Sequence, residues 1–119
     1  MLRNNFFAIV GHEFAPGTVK ATITLDKNHP IFKGHFPGQP IVPGVCMMQI
    51  VKEIMELQQA RPLAIKGVDN MKFLSVVNPG VNSTLEIDIR FKESPEGIEV
   101  QGALLAGDIT FFKIKAILH

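Results

Sequence analysis

Two residues whose types could take part in a reaction lie in a short stretch rich in proline and glycine. His35 and Gly44 are nine positions apart. A histidine titrates near neutral pH, so His35 can take up or release a proton during a reaction. Gly44 stands where a helix is expected to begin, and unpaired N–H groups at such a start stabilise negative charge. A glycine there also lets a bound group approach the backbone closely.

The stretch around these residues is expected to be an ordered but irregular loop. Four of the eight prolines fall between positions 30 and 43, and glycines are interleaved with them. Proline disfavours both a regular helix and a central strand, so neither is predicted here. Apolar side chains should anchor the loop to the core: Ile31, Phe32, Phe36, Ile41 and Val42.

One convincing helix is predicted from Val45 to about Ala60. Pro43 suits its entrance, and Pro62 ends it. Val45 to Met48 is apolar on all sides, which predicts a buried first turn. Core positions then follow helical spacing, at Met47, Ile50, Val51 and Ile54. A polar stripe is expected to face solvent, at Gln49, Lys52, Glu53, Glu56 and Gln59.

The remaining segments are rich in strand patterns. Alternation of apolar and polar residues predicts strands before the loop and a longer run after the helix. One early helix with long antiparallel strands indicates an α+β fold in which the helix packs on a curved sheet. The predicted strands are Phe6–Val10, Val19–Leu25, Ile65–Val77, Leu85–Phe91, Ile98–Leu105 and Ile109–Leu118.

Composition limits the classes of protein that this chain can be. Its 119 residues, 46% hydrophobic, suit a single domain spanning 1–119. A net charge of +1, with neither half strongly basic, argues against a nucleic-acid partner. The lone Cys46 excludes an internal disulfide and a multi-thiolate metal site. No signal peptide or membrane span is predicted, so the expected location is cytoplasmic.

The segment from His29 to Val45 is specific enough to suggest a family. Gly34-His-Phe-Pro-Gly38, then Pro40, then Pro43-Gly-Val45 opening a helix, resembles the signature of β-hydroxyacyl-acyl-carrier-protein dehydratases of the FabA/FabZ type. The resemblance extends along nearly the whole chain. It includes Gly67-Val-Asp69 and the Asn78-Pro-Gly80 turn.

The resemblance implies a hotdog fold, in which a curved antiparallel sheet wraps a long helix. It implies a dimer with the active site at the subunit interface. A trimer of dimers and a pair with an active paralogue are the alternative assemblies. The implied reaction removes water from a 3-hydroxyacyl thioester to give the trans-2-enoyl thioester. The acyl chain would be carried on the phosphopantetheine of an acidic acyl carrier protein, and no metal or redox cofactor would be needed.

The resemblance also assigns roles to individual residues. His35 matches the catalytic histidine of the family, and Gly44 matches the position that binds the thioester carbonyl. Fourteen residues after the histidine the family has a catalytic acid, whereas this chain has Gln49. The other residues expected to contact substrate are Phe36, Pro43, Val45 and Met48.

Three interpretations of Gln49 stay open, because an amide has no titratable proton at neutral pH. His35 makes both proton transfers while Gln49 holds a water; or Glu53, one turn further along, reaches the substrate; or the site is degenerate and the chain is a binding or pairing subunit. Gln49 could also simply begin the solvated stripe of the helix.

Other functional interpretations have simpler alternatives. The hotdog fold also hosts thioesterases, so an acyl thioesterase is a rival to the dehydratase. Cys46 is a possible nucleophile, but a small buried side chain is favoured. Several methionines and phenylalanines fit either a core or the lining of an acyl tunnel: Met47, Met48, Met55, Met71, Phe32, Phe36 and Phe73. Candidate contacts to the carrier protein are Lys33, Lys72 and Arg90.

Overall fold

The computed structural model describes residues 2–34 and 41–119 of the chain. Six strands form one sheet in the order β1-β2-β4-β5-β6-β3, and every neighbouring pair is antiparallel. The elements in chain order are β1 Phe7–Ala15, β2 Thr18–Leu25, α1 Ile31–Gly34, α2 Gly44–Gln59, β3 Ile65–Phe73, β4 Thr84–Ser94, β5 Gly97–Ala106 and β6 Ile109–Leu118.

The core lies between one face of the sheet and the apolar side of α2. Strands β2 and β5, the first half of β4 and β6 from Phe112 onward bury every second residue, as a half-buried sheet requires. The helix contributes residues at helical spacing to the same cluster, among them Met47, Ile50, Ile54 and Met55. This is the α+β arrangement that the sequence predicts. Among the described residues, no helix is long and apolar enough to cross a membrane.

The irregular loop is anchored to the core as predicted, in its described part. Phe32 and Val42 are buried, and the Val42 N–H donates to the Val77 carbonyl at 2.9 Å. His29 fixes the start of the loop, since its Nε2 lies 2.7 Å from Asn5 Oδ1. The prediction that no helix forms here was wrong for one turn, α1, which begins directly after Pro30. Phe36 lies outside the described residues.

Several element ends differ from the sequence predictions. The first strand continues to Ala15 rather than ending at Val10, because β1 is an edge strand whose outer half is exposed on both faces. Backbone pairing with β2 holds that half, so no apolar alternation is needed. Strand β3 ends at Phe73 rather than at Val77. Directly after Phe73, the Leu74 and Ser75 N–H groups both donate to the Phe111 carbonyl oxygen.

The turn between β4 and β5 requires a glycine. Gly97 has a φ of +140°, and a Cβ at this position would collide with the Leu118 carbonyl oxygen. The pattern Ser94-Pro-Glu-Gly97 predicts this hairpin, and the Ser94 hydroxyl donates to the Gly97 carbonyl at 2.9 Å.

We expect Gly97→Ala to lower the free energy of unfolding by about 1 to 3 kcal/mol, because it adds both backbone strain and a steric collision. Urea unfolding followed by circular dichroism measures the loss. Gly67→Ala is the matched control, since a Cβ there meets no atom within 4 Å. Equal stability of the two variants would contradict the strain at Gly97.

Candidate active site

The first turn of α2 presents free backbone donors. Pro43 precedes the helix in an extended conformation and gives it no side-chain cap. The first helical hydrogen bonds are donated by Cys46 and Met47 to the Pro43 carbonyl, at 3.0 and 3.3 Å. The N–H groups of Gly44 and Val45 come before these bonds, so the helix itself gives them no acceptor. This end of α2 can therefore stabilise a carbonyl oxygen that gains negative charge.

An aromatic ring covers the Gly44 backbone. A Cβ on Gly44 would lie 2.5 Å from Phe73 Cε1 and 2.6 Å from its Cζ, so only a glycine allows this approach. The Phe73 ring packs on Phe112 with centroids 5.2 Å apart, yet Phe73 is 53% exposed. The ring therefore lies against the first residue of α2 and is partly exposed to solvent. The sequence predicted that Phe73 packs either in the core or along an acyl tunnel, and no sequence pattern predicted its contact with Gly44.

The structure describes some of the predicted site residues and not others. His35 and Phe36 lie outside the described residues. Pro43, Gly44 and Met48 are partly buried at the start of α2, and Met48 packs against the core. The prediction of a buried first turn was wrong at Val45, which is 65% exposed. Val45 projects outward because its side of the helix is not covered by the sheet.

Glu53 is buried, which the predicted solvent-facing stripe did not foresee. Its side chain is 2% exposed, and its carboxylate accepts three hydrogen bonds. The N–H groups of Leu2 and Arg3 each donate to it at 2.8 Å, and so does Gln49 Nε2. These bonds hold the carboxylate between α2 and the N-terminal segment. Glu53 is thus a structural anchor, and it is not free to reach a substrate.

The bond to Glu53 fixes the orientation of the Gln49 amide. A carboxylate only accepts hydrogen bonds, so the NH₂ group of Gln49 must face it. The Oε1 atom of Gln49 therefore points the other way and offers an acceptor. Gln49 is half-buried, so this acceptor can receive a bond from a hydroxyl group or a water. It cannot give a proton to a leaving group.

The described residues contain neither a reactive thiol nor a group of side chains that could bind a metal ion. Cys46 is buried in the core, and burial raises the pKa of its thiol, which favours the unreactive neutral form. The preferred interpretation of Cys46 as a small buried side chain is confirmed. Within residues 2–34 and 41–119, no three His, Cys, Asp or Glu side chains are grouped to hold a metal ion.

Comparison with known proteins decides the family. The family model described as ApeI-like, ApeI dehydratase, matches residues 12–102. The chain belongs to the ApeI-like dehydratase family. A solved structure of this kind, the dehydratase heterocomplex ApeI:P from Xenorhabdus doucetiae, superposes with a TM-score of 0.75 at 25% identity. It covers 92% of this chain and 95% of the other. The hotdog fold implied by the signature is thereby confirmed.

Curated relatives of this ApeI-like dehydratase chain support the FabA/FabZ resemblance. The 3-hydroxyacyl-[acyl-carrier-protein] dehydratase FabZ of Haemophilus influenzae is 32% identical over 79 residues, covering 60% of this chain and 53% of the relative. FabZ of Lawsonia intracellularis is 35% identical over 88 residues, covering 65% and 58%. The chain thus spans a little over half the length of these relatives.

One similar structure bears on the rival interpretation. A putative thioesterase from Ralstonia eutropha superposes on the ApeI-like chain with a TM-score of 0.62 at 14% identity, covering 97% of this chain and 85% of the other. At this identity the likeness shows the fold alone. It gives the thioesterase interpretation no support beyond the shared architecture.

We expect Glu53→Ala to lower the free energy of unfolding by about 2 to 4 kcal/mol, because two backbone N–H groups and the Gln49 amide lose a buried charged acceptor. Urea unfolding measures this change. Glu56→Ala is the control on the same helix, since Glu56 accepts one bond, from the Leu63 N–H at 2.8 Å, and pairs with Lys52 at 3.6 Å. A loss for Glu53→Ala no larger than for Glu56→Ala would contradict the anchoring role.

Proposed function

We propose that this chain is a (3R)-hydroxyacyl-[acyl-carrier-protein] dehydratase of fatty acid or polyene synthesis. The observation that carries the proposal is the uncapped start of α2 at Gly44, directly after a loop with the family's histidine signature. The FabZ relatives act on 3-hydroxyacyl groups bound to a carrier protein. The acyl chain would arrive on phosphopantetheine, and neither a metal nor a redox cofactor is required by this chemistry.

The proposed reaction proceeds through an enolate. His35 takes the proton from C2 of the substrate, and the C–H electron pair moves to place negative charge on the thioester oxygen. The Gly44 N–H group donates a hydrogen bond to that oxygen. The enolate then collapses to the C2=C3 double bond as the C3–O bond breaks. The departing hydroxide takes the proton from the His35 imidazolium and leaves as water.

Gln49 has a positioning role in this proposal. Its Oε1 faces away from Glu53 and can accept a hydrogen bond from the 3-hydroxyl group of the substrate. This bond would orient the hydroxyl group while His35 makes both proton transfers. We therefore favour the first of the three interpretations of Gln49. The FabZ and ApeI relatives do not favour a chain that has lost activity.

We further propose that two hotdog subunits pair along β3. Among the described residues, this strand is at the edge of the sheet and pairs with β6 on one side only, so its other edge can accept a strand. Val68, Met71 and Phe73 stand on the helix side of this edge and are 42%, 37% and 53% exposed. Apolar side chains beside an open strand edge are typical of a subunit interface. An interface here would lie beside Gly44.

The partner can be a second copy or a related chain. The solved neighbour is a heterocomplex of ApeI and a second component. We propose a homodimer as the basic unit, with pairing to an active paralogue as the alternative that Gln49 keeps open. We place this unit in the cytoplasm, where the lone Cys46 thiol would stay reduced.

We expect Val68→Lys combined with Met71→Lys to give a monomer, because two charges would have to be buried at the interface. Light scattering after size exclusion measures the mass, and the unsubstituted chain should have the mass of at least two copies. Val10→Lys is the control, since Val10 is 60% exposed on β1, at the opposite edge of the sheet. A double variant that keeps the mass of the unsubstituted chain would exclude pairing along β3.

We expect the unsubstituted chain to dehydrate a 3-hydroxyacyl carrier-protein substrate, measured as absorbance of the enoyl product. His35→Ala should lower the rate by about 10² to 10⁴, the usual contribution of acid–base catalysis. Gln49→Glu should retain activity, and Gln59→Glu is the same change elsewhere on α2. Release of free thiol without an enoyl product would instead establish a thioesterase. Activity that appears only in Gln49→Glu would indicate a binding or pairing subunit.

A further inference from the structure

The face of the sheet that points away from α2 contains a groove of about 910 Å³. Five cationic side chains and one carboxylate line it, a formal surplus of four positive charges. This surplus is notable in a chain whose net charge is only +1. We call this feature the basic groove. Its charged residues are Lys20, Lys72, Asp88, Arg90, Lys113 and Lys115.

Strand register assembles the basic groove from distant parts of the chain. One row across the sheet runs from Lys20 to Asp88, then Ala103, Lys113 and Lys72. Residues directly opposite each other in antiparallel strands share a face, so these side chains project together. The next row, two residues along, adds Arg90 and Lys115 in the same way.

The arrangement of cationic side chains in the groove lowers the stability of the folded sheet. Lys72 lies directly opposite Lys113, and like charges in this relation destabilise a sheet. By contrast, on the same sheet Lys92 lies directly opposite Glu99 and pairs with it at 3.3 Å. In the described part of the chain, neither Lys72 nor Lys113 takes part in an ion pair. An anionic partner would offset this repulsion.

We propose that the basic groove is the docking surface for the acyl carrier protein, through the acidic side chains that such carriers present. The proposal rests on the proposed function, in which the substrate arrives on this carrier. Charge complementarity is the argument for this occupant, since a cationic face attracts and orients an acidic protein. Of the earlier candidates, Lys72 and Arg90 belong to the groove, while the side chain of Lys33 is outside the described part.

The dimensions of the groove suit a helical partner. Lys20 on β2 and Lys72 on β3 are separated by four strand spacings, or roughly 19 Å along the sheet. A helix with side chains is about 10 to 12 Å wide and fits between them. The groove also reaches the strand that borders the site. Lys72 is followed on β3 by Phe73, which points to the other face and covers Gly44.

Binding of a purified bacterial acyl carrier protein in its holo form tests the groove without requiring turnover. The test variant is Lys113→Glu with Lys115→Glu, two exposed positions. The control is Lys27→Glu with Lys66→Glu, which changes the net charge equally at exposed positions outside the groove. By calorimetry at low salt, we expect the test variant to bind about tenfold or more weakly than the control. The difference should shrink at high salt, because exposed charges are screened.

Equal affinity of the two double variants would overturn the proposal. It would also be overturned if the test variant lost affinity for a DNA duplex or for vesicles of anionic phospholipid but kept its affinity for the carrier. Either of those results would assign the groove to another anionic partner. Unfolding measurements on both variants confirm that the fold is retained.

A carrier-free substrate separates this proposal from the proposed function. With a 3-hydroxyacyl N-acetylcysteamine thioester, the groove variant should match the unsubstituted chain. With the carrier-bound substrate, its KM should rise by a similar factor of about ten while kcat changes little. Loss of activity on both substrates would contradict a docking role. If the unsubstituted chain dehydrates neither substrate, the proposed function fails, and the calorimetric comparison still decides whether the groove binds the carrier.

Discussion

The buried carboxylate of Glu53 is the interaction on which the site depends most directly. Burying a charge is costly unless it is hydrogen-bonded, and three N–H donors satisfy this one. Two of the donors belong to the N-terminal segment, at Leu2 and Arg3, and the third is the Gln49 amide. One side chain thus joins the N-terminus of the chain to α2 and sets the direction in which Gln49 presents its oxygen.

In our proposal, this constraint explains how a site with an amide where the resemblance implies an acid can still be organised for elimination. The Gln49 amide cannot give a proton, but its orientation is fixed, so it can position a hydroxyl group at little cost in conformational entropy. The start of α2 supplies backbone donors, and Phe73 limits access to them from the sheet edge. In our proposal, the proton transfers then fall to His35 alone.

Much of the architecture follows from local pattern. Alternation predicts the inner strands because each has one buried face, and helical spacing with Pro43 and Pro62 predicts α2 within a residue. The length of the edge strand β1 was underestimated, because its outer half has no buried face and therefore no alternation of apolar and polar residues. The sequence signature around His35 indicated the dehydratase family.

The parts that the sequence did not reveal depend on contacts between distant segments. Glu53 looks like one more charge on a polar stripe, and only the return of the N-terminal segment to α2 explains its burial. The ring of Phe73 reaches Gly44 from β3, a contact between separate elements that no local pattern encodes. The basic groove combines lysines from β2, β3 and β6 with Arg90 from β4, so a balanced charge along the chain conceals it.

The pH dependence of kcat/KM for dehydration tests the central claim, that one histidine makes both proton transfers beside an amide acceptor. If His35 is the only titrating catalyst, the rate should rise with pH through one ionisation and then stay level. Gln49→Glu should add a fall at high pH, because a carboxyl group beside Glu53 would retain a proton that is then lost. A bell-shaped profile in the unsubstituted chain would contradict the account, since it would reveal a second acid in the site.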